Sequence, residues 1–268
     1  MKRVFFLLLL LLSMGTAMAQ SKQAFNIGVV DHVQSKILGE ERVLNIYLPE
    51  GYDKNKDSTY PVVYLLDGSA NEDFIHTAGL TQYLAMYQMM PVSIVVGIAN
   101  VDRKRDMIFP TTNAAEKKDF PTAGGSDKFI TFIEKELQPY VQSHYRVSND
   151  RTILGQSAGG LLAAQILLKK PQLFDKYLLI SPSLWWSDES LLKQAPALLD
   201  KQAKLNMKVY VAVGEEGDQM KNNVHDFYEL LLKQKAKGVQ ADYKFFGNEN
   251  HMTIHHNASY KGFQILNK

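Results

Sequence analysis

Short apolar runs recur along the chain and are separated by turn residues and by longer amphipathic stretches. Several of the runs are rich in β-branched residues, which is typical of buried strands. We therefore predict eight strands, at residues 27–37, 42–48, 61–66, 92–98, 152–154, 177–180, 209–213 and 241–246. The first two flank the turn Gly39-Glu40 and predict an antiparallel hairpin.

Three longer stretches between the runs have apolar residues at helical spacing. Residues 127–141 place four large apolar side chains on one face, and Ser126 is positioned to cap the start of this helix. Residues 158–169 and 220–238 predict two more helices, the second ending at a glycine. Strands that alternate with helices predict an α/β fold with a mostly parallel central sheet of about eight strands and helices on both faces. In such folds, functional residues lie in the loops at the carboxyl ends of the strands.

The composition is that of an ordinary globular protein. Hydrophobic residues make up 46% of the chain and charged residues 22%, close to the average values, which excludes a disordered chain, a collagen-like fibre and a coiled coil. A chain of 268 residues is long enough for one α/β domain with a full-sized core. No repeat or linker divides it.

The first 19 residues have the pattern of a secretory signal peptide. Lys2 and Arg3 form a basic start, Val4 to Leu12 is an unbroken apolar run, and Ala17-Met18-Ala19 is a small-x-small cleavage pattern. The apolar run is far shorter than the ~20 residues needed to cross a bilayer, so we expect no membrane anchor. The prediction is a signal peptide at residues 1–19, a single domain at residues 20–268, and a periplasmic or secreted protein.

Charge and cysteine content narrow the classes of function. The chain has 30 Lys and Arg against 28 Asp and Glu, and removal of Lys2 and Arg3 with the signal peptide leaves 28 of each. A neutral protein without a clustered basic patch is not expected to bind nucleic acid. Cysteine is absent, which excludes disulfides, a thiol nucleophile and cysteine-based metal sites.

A G-x-S-x-G motif, Gly155-Gln156-Ser157-Ala158-Gly159, provides the first candidate chemistry. A predicted strand runs directly into the motif and a predicted helix runs directly out of it. This strand–turn–helix setting is the one a nucleophile elbow requires. Ser157 is therefore the candidate nucleophile, and an incidental serine in a glycine-rich turn is the weaker interpretation.

A serine nucleophile needs a base, and the elbow fold uses the chain order serine, acid, histidine. His251 follows the last predicted strand and is the candidate base, whereas His255 and His256 are expected at the surface, where the last helix opens. Because a zinc site built from these histidines lacks a carboxylate partner, we predict no metal site.

The acid is expected after the penultimate strand, where Glu215, Glu216 and Asp218 lie within four residues. Any of these carboxylates could orient the imidazole. We favour Glu216, with Asp218 as the alternative. Backbone N–H groups for the developing oxyanion are expected from Ala158, which follows the nucleophile, and from Gly68 or Ser69, which follow the third strand.

Taken with this constellation, the chain resembles the esterase branch of the α/β-hydrolases, which includes the enterochelin (siderophore) esterases, feruloyl and acetyl-xylan esterases and S-formylglutathione hydrolases. The resemblance covers nearly all of residues 20–268. Its most specific part is the run Ser181-Pro182-Ser183-Leu184-Trp185-Trp186, similar to periplasmic siderophore esterases and related hydrolases. The other segments that carry it are 45–52, 60–61, 64–68, 100–106 and 155–160.

The resemblance implies a serine hydrolase that cleaves small-molecule carboxylic esters through an acyl-enzyme, without a metal or organic cofactor. A siderophore-type ester is one candidate substrate. Trp185, Trp186 and Arg103 are candidate substrate contacts, although core packing of one tryptophan and solvation of the arginine are alternatives. An acyltransferase of the same fold, or a catalytically silent relative that binds a siderophore or glycan, remains open. The sequence leaves the oligomeric state and the natural ester open.

Overall fold

The computed structural model describes residue 22 and residues 24–268. The predicted signal peptide therefore lies outside the described residues. Eight strands form one sheet with the order β1-β2-β4-β3-β5-β6-β7-β8. The strands are β1 (Val29–Ser35), β2 (Glu40–Tyr47), β3 (Tyr60–Leu65), β4 (Ile94–Ile98), β5 (Val147–Gln156), β6 (Lys176–Ile180), β7 (Met207–Gly214) and β8 (Val239–Phe246).

Helices connect most of the strands. The α-helices are α1 (Phe74–Met86), α2 (Arg103–Met107), α3 (Ala114–Asp119), α4 (Ser126–Phe132), α5 (Gln138–His144), α6 (Ala158–Lys169), α7 (Trp186–Asp200), α8 (Asp218–Leu232) and α9 (Ile254–Leu266). A π-helical turn, Ile133–Leu137, joins α4 to α5, and short 3₁₀ turns lie at Pro171–Leu173 and Lys235–Lys237. Within residues 24–268, no helix is long and apolar enough to cross a bilayer.

The predicted fold class is confirmed. Strand β1 is antiparallel to β2, and β2 is antiparallel to β4, whereas all pairs from β4 through β8 are parallel. Helices α4 to α8 pack on one face of the sheet, and α1 and α9 pack on the other. Because β3 to β8 run in the same direction, their carboxyl ends meet at one edge of the sheet.

Two helix boundaries differ from the prediction. Ser126 is the first helical residue rather than the cap, and its hydroxyl donates to Gln165 Oε1 at 2.8 Å instead of to a free backbone N–H. The capping prediction is wrong because this serine is fully buried against α6. The helix predicted to end at Gly238 begins at Asp218 and ends at Leu232, and a 3₁₀ turn carries the chain to Gly238, whose φ is +92°.

The sequence pattern does not predict the short helices α2 and α3 or the longer helices α1 and α7. Apolar and small residues are spread around α1, so its sequence has no clear polar face. Helix α7 has left-handed residues at its start and Pro196 inside it, and both features obscure a helical pattern.

Candidate active site

Ser157 occupies the sharp turn between β5 and α6. Its φ of 58° and ψ of −117° lie outside the regions that a side-chain-bearing residue normally adopts, a strain of about 1–3 kcal/mol. The neighbouring glycines make the turn possible, because a Cβ on Gly155 would lie 2.5 Å from the carbonyl carbon of Gly159. The Ser157 N–H donates to Ile180 O at 3.0 Å, which ties the turn to β6.

His251 lies in the loop between β8 and α9 and contacts Glu216, which lies just after β7. Glu216 Oε2 is 2.5 Å from His251 Nδ1. The other carboxylate oxygen, Oε1, accepts hydrogen bonds from Ser181 Oγ at 2.5 Å and from the Gly214 N–H at 2.9 Å. Glu216 therefore binds three donors, which lie at the carboxyl end of β7 and in the loops that follow β6 and β8.

The Glu216 carboxylate is almost completely shielded, with 3% of its side chain exposed. Burial by itself would raise the pKa of this carboxyl, but the hydrogen bonds from His251, Ser181 and Gly214 outweigh burial and hold the pKa below its usual value. An ionised Glu216 accepts a hydrogen bond from the protonated Nδ1 of His251. This tautomer leaves Nε2 as the basic nitrogen of the imidazole.

Ser157 and His251 line one open cleft of about 400 Å³, together with Ser183, Trp185, Glu215, Glu216, Met220 and Asn250. Ser157 Oγ lies 3.4 Å from Ser183 Oγ. No hydrogen bond joins Ser157 to His251 among the residues that the structure describes, a common situation in sites without substrate. The arrangement places a serine, an imidazole and a buried carboxylate around one concave surface.

Asp218, the alternative acid, is far less enclosed. Its side chain is 93% exposed and pairs with Lys221 Nζ at 3.2 Å. Glu215 pairs with the same lysine at 2.6 Å. The structure thus brings Glu216, and not Asp218, to His251, because Asp218 is already the first residue of α8.

The candidate oxyanion donors differ in their availability. Ala158 begins α6, and no acceptor pairs with its N–H within residues 24–268. The Gly68 N–H already donates to Ile98 O at 3.0 Å. The Ser69 N–H donates to the carboxylate of Glu72 at 3.2 Å. The Gly68 N–H is bonded to strand backbone, so the expectation for Gly68 is not supported. The Ser69 N–H is bonded to an exposed side chain and becomes available when the Glu72 carboxylate turns away.

The family model described as "Putative esterase" matches residues 35–264. This range spans nearly the whole sheet and all the residues described above. The chain belongs to this esterase family of the α/β-hydrolases. The resemblance seen in the sequence is thereby confirmed.

Individual relatives of the esterase extend this finding. The ferri-bacillibactin esterase BesA of Bacillus subtilis is 28% identical over 259 residues, which cover 87% of this chain and 88% of BesA. The siderophore triacetylfusarinine C esterase of Aspergillus fumigatus is 32% identical over 151 residues, 52% of this chain and 50% of that protein. The crystal structure of an IroE-like serine hydrolase from Shewanella oneidensis matches with a TM-score of 0.82 at 30% identity, covering 90% of this chain and 80% of that one. The chain is a carboxylic ester hydrolase.

The two tryptophans predicted to contact substrate differ in their exposure in the esterase. Trp185 is partly exposed and lines the cleft with Ser157. Trp186 is 1% exposed, and its Nε1–H donates to Phe109 O at 2.8 Å. The expectation that Trp186 contacts substrate is not supported by this placement, because its ring is part of the core.

Arg103 is held by a carboxylate of the esterase itself. Its Nε and one terminal nitrogen donate to the two oxygens of Asp67 at 2.6 and 2.8 Å. This bidentate pair ties the start of α2 to the loop after β3. Since 38% of its side chain is exposed, a ligand can still contact the guanidinium. Its Nε–H and one terminal N–H, however, already donate to Asp67.

Sequence reasoning missed two residues that support the loop of His251. Gln156 Nε2 donates to the carbonyl oxygen of His251 at 2.6 Å, and Gln156 Oε1 lies 2.9 Å from His255 Nδ1. The expectation of a surface His255 is wrong, because only 12% of its side chain is exposed. Burial lowers the pKa of His255 to about 4, so the ring is neutral at physiological pH. The sequence signal that could have identified Gln156 is its position as the first x of G-x-S-x-G, directly before the nucleophile.

Proposed function

We propose that this esterase is an exported serine hydrolase that cleaves siderophore-type esters through an acyl-enzyme. One observation carries the proposal: Ser157 stands at a strained elbow in the same cleft as the His251–Glu216 pair. A serine hydroxyl requires a base, and the base requires a partner that stabilises its imidazolium form. All three groups are available within this cleft.

In the first half of the proposed reaction, Ser157 Oγ attacks the ester carbonyl carbon while His251 Nε2 takes the hydroxyl proton. The ionised Glu216 orients the ring and stabilises the imidazolium. The Ala158 N–H donates to the oxyanion of the tetrahedral intermediate, and the Ser69 N–H does so once it is released from the Glu72 carboxylate. The intermediate collapses when His251 returns the proton to the departing alcohol, which leaves an acyl group on Ser157.

In the second half, His251 takes a proton from water, and the resulting hydroxide attacks the acyl carbon. A second tetrahedral intermediate forms at the same donors and collapses with the proton returned to Ser157 Oγ. The products are a carboxylic acid and an alcohol, with the enzyme regenerated. Every proton passes through His251, so the cycle has one acid–base residue.

The substrate class is supported by relatives and by the cleft. BesA is named as a ferri-bacillibactin esterase, and the A. fumigatus enzyme as a siderophore triacetylfusarinine C esterase. The cleft is open and partly walled by Trp185, which suits a large ester better than a buried pocket would. The apolar run and the cleavage pattern of residues 1–19 support export.

The mechanism is tested by intact mass after treatment with a fluorophosphonate, which labels activated serines. We expect one adduct on the mature protein, and none on Ser157→Ala or His251→Ala. Ser183→Ala is the matched control, since its hydroxyl lies in the same cleft and the variant should still be labelled. No adduct on folded wild-type protein would instead favour a silent binding protein.

The substrate class is tested by mass spectrometry of a triester siderophore incubated with the enzyme, iron-free and iron-loaded. We expect a gain of one water for each ester cleaved. The same incubation with an acceptor alcohol distinguishes hydrolysis from acyl transfer, because a transferase would produce the new ester. Failure to cleave either siderophore form, with simple esters still hydrolysed, would contradict the substrate class alone.

A further inference from the structure

The start of α7 contains an unusual backbone segment, the left-handed turn Ser187–Glu189. Ser187, Asp188 and Glu189 have φ angles of 54°, 52° and 62°. L-amino acids disfavour this region, and residues other than glycine visit it singly rather than in runs. Three consecutive residues of this kind persist only where surrounding contacts hold them.

The first contact is made by Glu116 on α3. The Ser187 N–H donates to both oxygens of this carboxylate, at 3.0 and 3.1 Å. Thr111 Oγ1 donates to Glu116 Oε2 at 2.5 Å, so the carboxylate is itself held in place. A charged acceptor that binds a backbone N–H makes a stronger hydrogen bond than a neutral one.

Three further hydrogen bonds hold the middle and the far end of the turn. Gln219 and Asn223, both on α8, donate from their side-chain amides to Glu189 Oε1 at 3.2 Å each. Asn113, the cap of α3, donates to Asp188 Oδ1 at 3.3 Å. The turn is thus bound to α3 on one side and to α8 on the other.

The turn connects directly to the cleft wall. The Glu189 N–H donates to the Trp185 carbonyl oxygen at 3.2 Å, so the last residue of the turn closes on the backbone of Trp185. The Trp185 ring also packs edge-on against Phe120, at the end of α3, with 6.5 Å between ring centroids. Release of the turn would therefore loosen Trp185, whereas Trp186 stays anchored in the core by its bond to Phe109.

We propose that Glu116 is a positioning residue that sets substrate specificity: its carboxylate holds the left-handed turn, and the turn holds Trp185 as the cleft wall that receives an aromatic group of the ester. This rests on the proposed function, because it concerns which esters the same cleft accepts. Glu116 touches no reacting atom in this scheme. It acts through Trp185 alone.

The first test compares steady-state kinetics of wild type, Trp185→Ala, Glu116→Ala and Glu116→Gln on vinyl acetate, vinyl benzoate and phenyl acetate. Glu116→Ala should raise KM about tenfold for the same aromatic ester that Trp185→Ala affects, with kcat and all parameters for vinyl acetate unchanged. Glu116→Gln keeps one oxygen acceptor for the Ser187 N–H and should show a smaller rise. Lys118→Ala, an exposed position on the same short helix, is the control.

The second test does not require turnover. The chain has two tryptophans, so the difference between wild type and Trp185→Phe isolates the fluorescence of Trp185. In Glu116→Ala, the Trp185 fluorescence is the difference between this variant and Glu116→Ala/Trp185→Phe. It should shift to longer wavelength and be quenched more strongly by acrylamide. Adding Ser187→Gly and Asp188→Gly to Glu116→Ala should restore the signal and KM partly, because glycine accepts positive φ without strain. General misfolding would not be rescued in this way.

Two results would overturn the proposal: unchanged Trp185 fluorescence in Glu116→Ala, or a KM rise that is equal for vinyl acetate and the aromatic esters. A wild-type protein that cleaves none of the three esters and takes no fluorophosphonate label would contradict the proposed function. In that case the fluorescence shift in Glu116→Ala would still show that Glu116 holds the left-handed turn and Trp185, so the two failures are distinguishable.

Discussion

Glu216 Oε2 lies 2.5 Å from His251 Nδ1, although 35 residues separate them in the chain. The contact follows from the register of the sheet, in which Gly214 at the end of β7 pairs with Phe246 at the end of β8. The loops that follow are joined by a hydrogen bond from the Glu215 N–H to Glu249 O at 2.7 Å. The carboxylate and the imidazole are therefore held by backbone structure on both sides.

Glu216→Gln should lower kcat strongly, whereas Asp218→Asn should leave it unchanged. The glutamine cannot stabilise an imidazolium by charge, and comparable changes in serine hydrolase triads lower kcat by up to about 10⁴-fold. Asp218 is exposed and forms an ion pair with Lys221 at 3.2 Å. Kinetics on an activated ester, with circular dichroism to confirm folding, checks both variants. A loss confined to Asp218→Asn would assign the acid role to that residue.

Trp185→Ala and Trp186→Ala should affect different properties, although the residues are adjacent. Trp186 is buried and should lose about 3–5 kcal/mol of unfolding free energy on truncation. Trp185 lines the cleft, so its loss should raise KM for an aromatic ester and change stability little. Urea denaturation together with KM measurements separates the two effects. A larger loss of stability in Trp185→Ala would contradict the assignment.

Asp73→Asn should stabilise the protein at alkaline pH and not at acidic pH. Burial first, and the neighbouring Asp67 second, raise the pKa of the Asp73 carboxyl to about 6. A raised pKa means that the folded state favours the protonated Asp73. The stabilisation of the fold by this proton is complete below the ordinary aspartate pKa and is lost as the pH rises through about 6.

Because 37% of the Asp73 side chain is exposed, solvent screening reduces the expected gain of Asp73→Asn at pH ~8 to the order of 1 kcal/mol. Urea denaturation of wild type and variant at pH ~4 and ~8 measures it. Asp226→Asn, an exposed position on α8, is the control. An equal effect of Asp73→Asn at both pH values would show that its charge is not responsible.

Two glycine-to-alanine substitutions should have opposite effects on stability. A Cβ on Gly155 would lie 2.5 Å from the Gly159 carbonyl carbon, so Gly155→Ala should destabilise the elbow and reduce activity. Gly79 lies inside α1 with nothing within 4 Å of a new Cβ, so Gly79→Ala should stabilise the protein by about 0.5–1 kcal/mol. Thermal unfolding and ester hydrolysis measure both. Equal destabilisation by the two changes would contradict the packing argument.

The strands and the elbow were predictable because their signals are local. A buried parallel strand must be apolar over a short stretch, and the strained turn at Ser157 requires small neighbours at Gly155 and Gly159. The chain order of serine, acid and histidine then limits His251 to the loop after the last strand. The interruption of α7 had no such signal, since its left-handed residues depend on carboxylate and amide partners from α3 and α8.

The choice of acid and the burial of the tryptophans required coordinates. Glu216 and Asp218 are two residues apart, and only the path of the loop after β7 sends one to His251 and the other to solvent. Trp185 and Trp186 are consecutive, yet one lines a cleft and the other lies in the core. The direction of the backbone at each residue therefore decides which of two neighbouring side chains is buried and which faces the cleft or solvent.

The sequence by itself determined the α/β architecture, the position of the elbow and the identity of the histidine that follows β8. These features depend on hydrophobic periodicity and on backbone sterics, which act between residues close in the chain. The tertiary structure decided which carboxylate meets His251, that the Gly68 N–H is already bonded, and that Glu116 holds the turn next to Trp185. Those relationships join residues far apart in the chain, and they exist only when the sheet brings the loops to one edge.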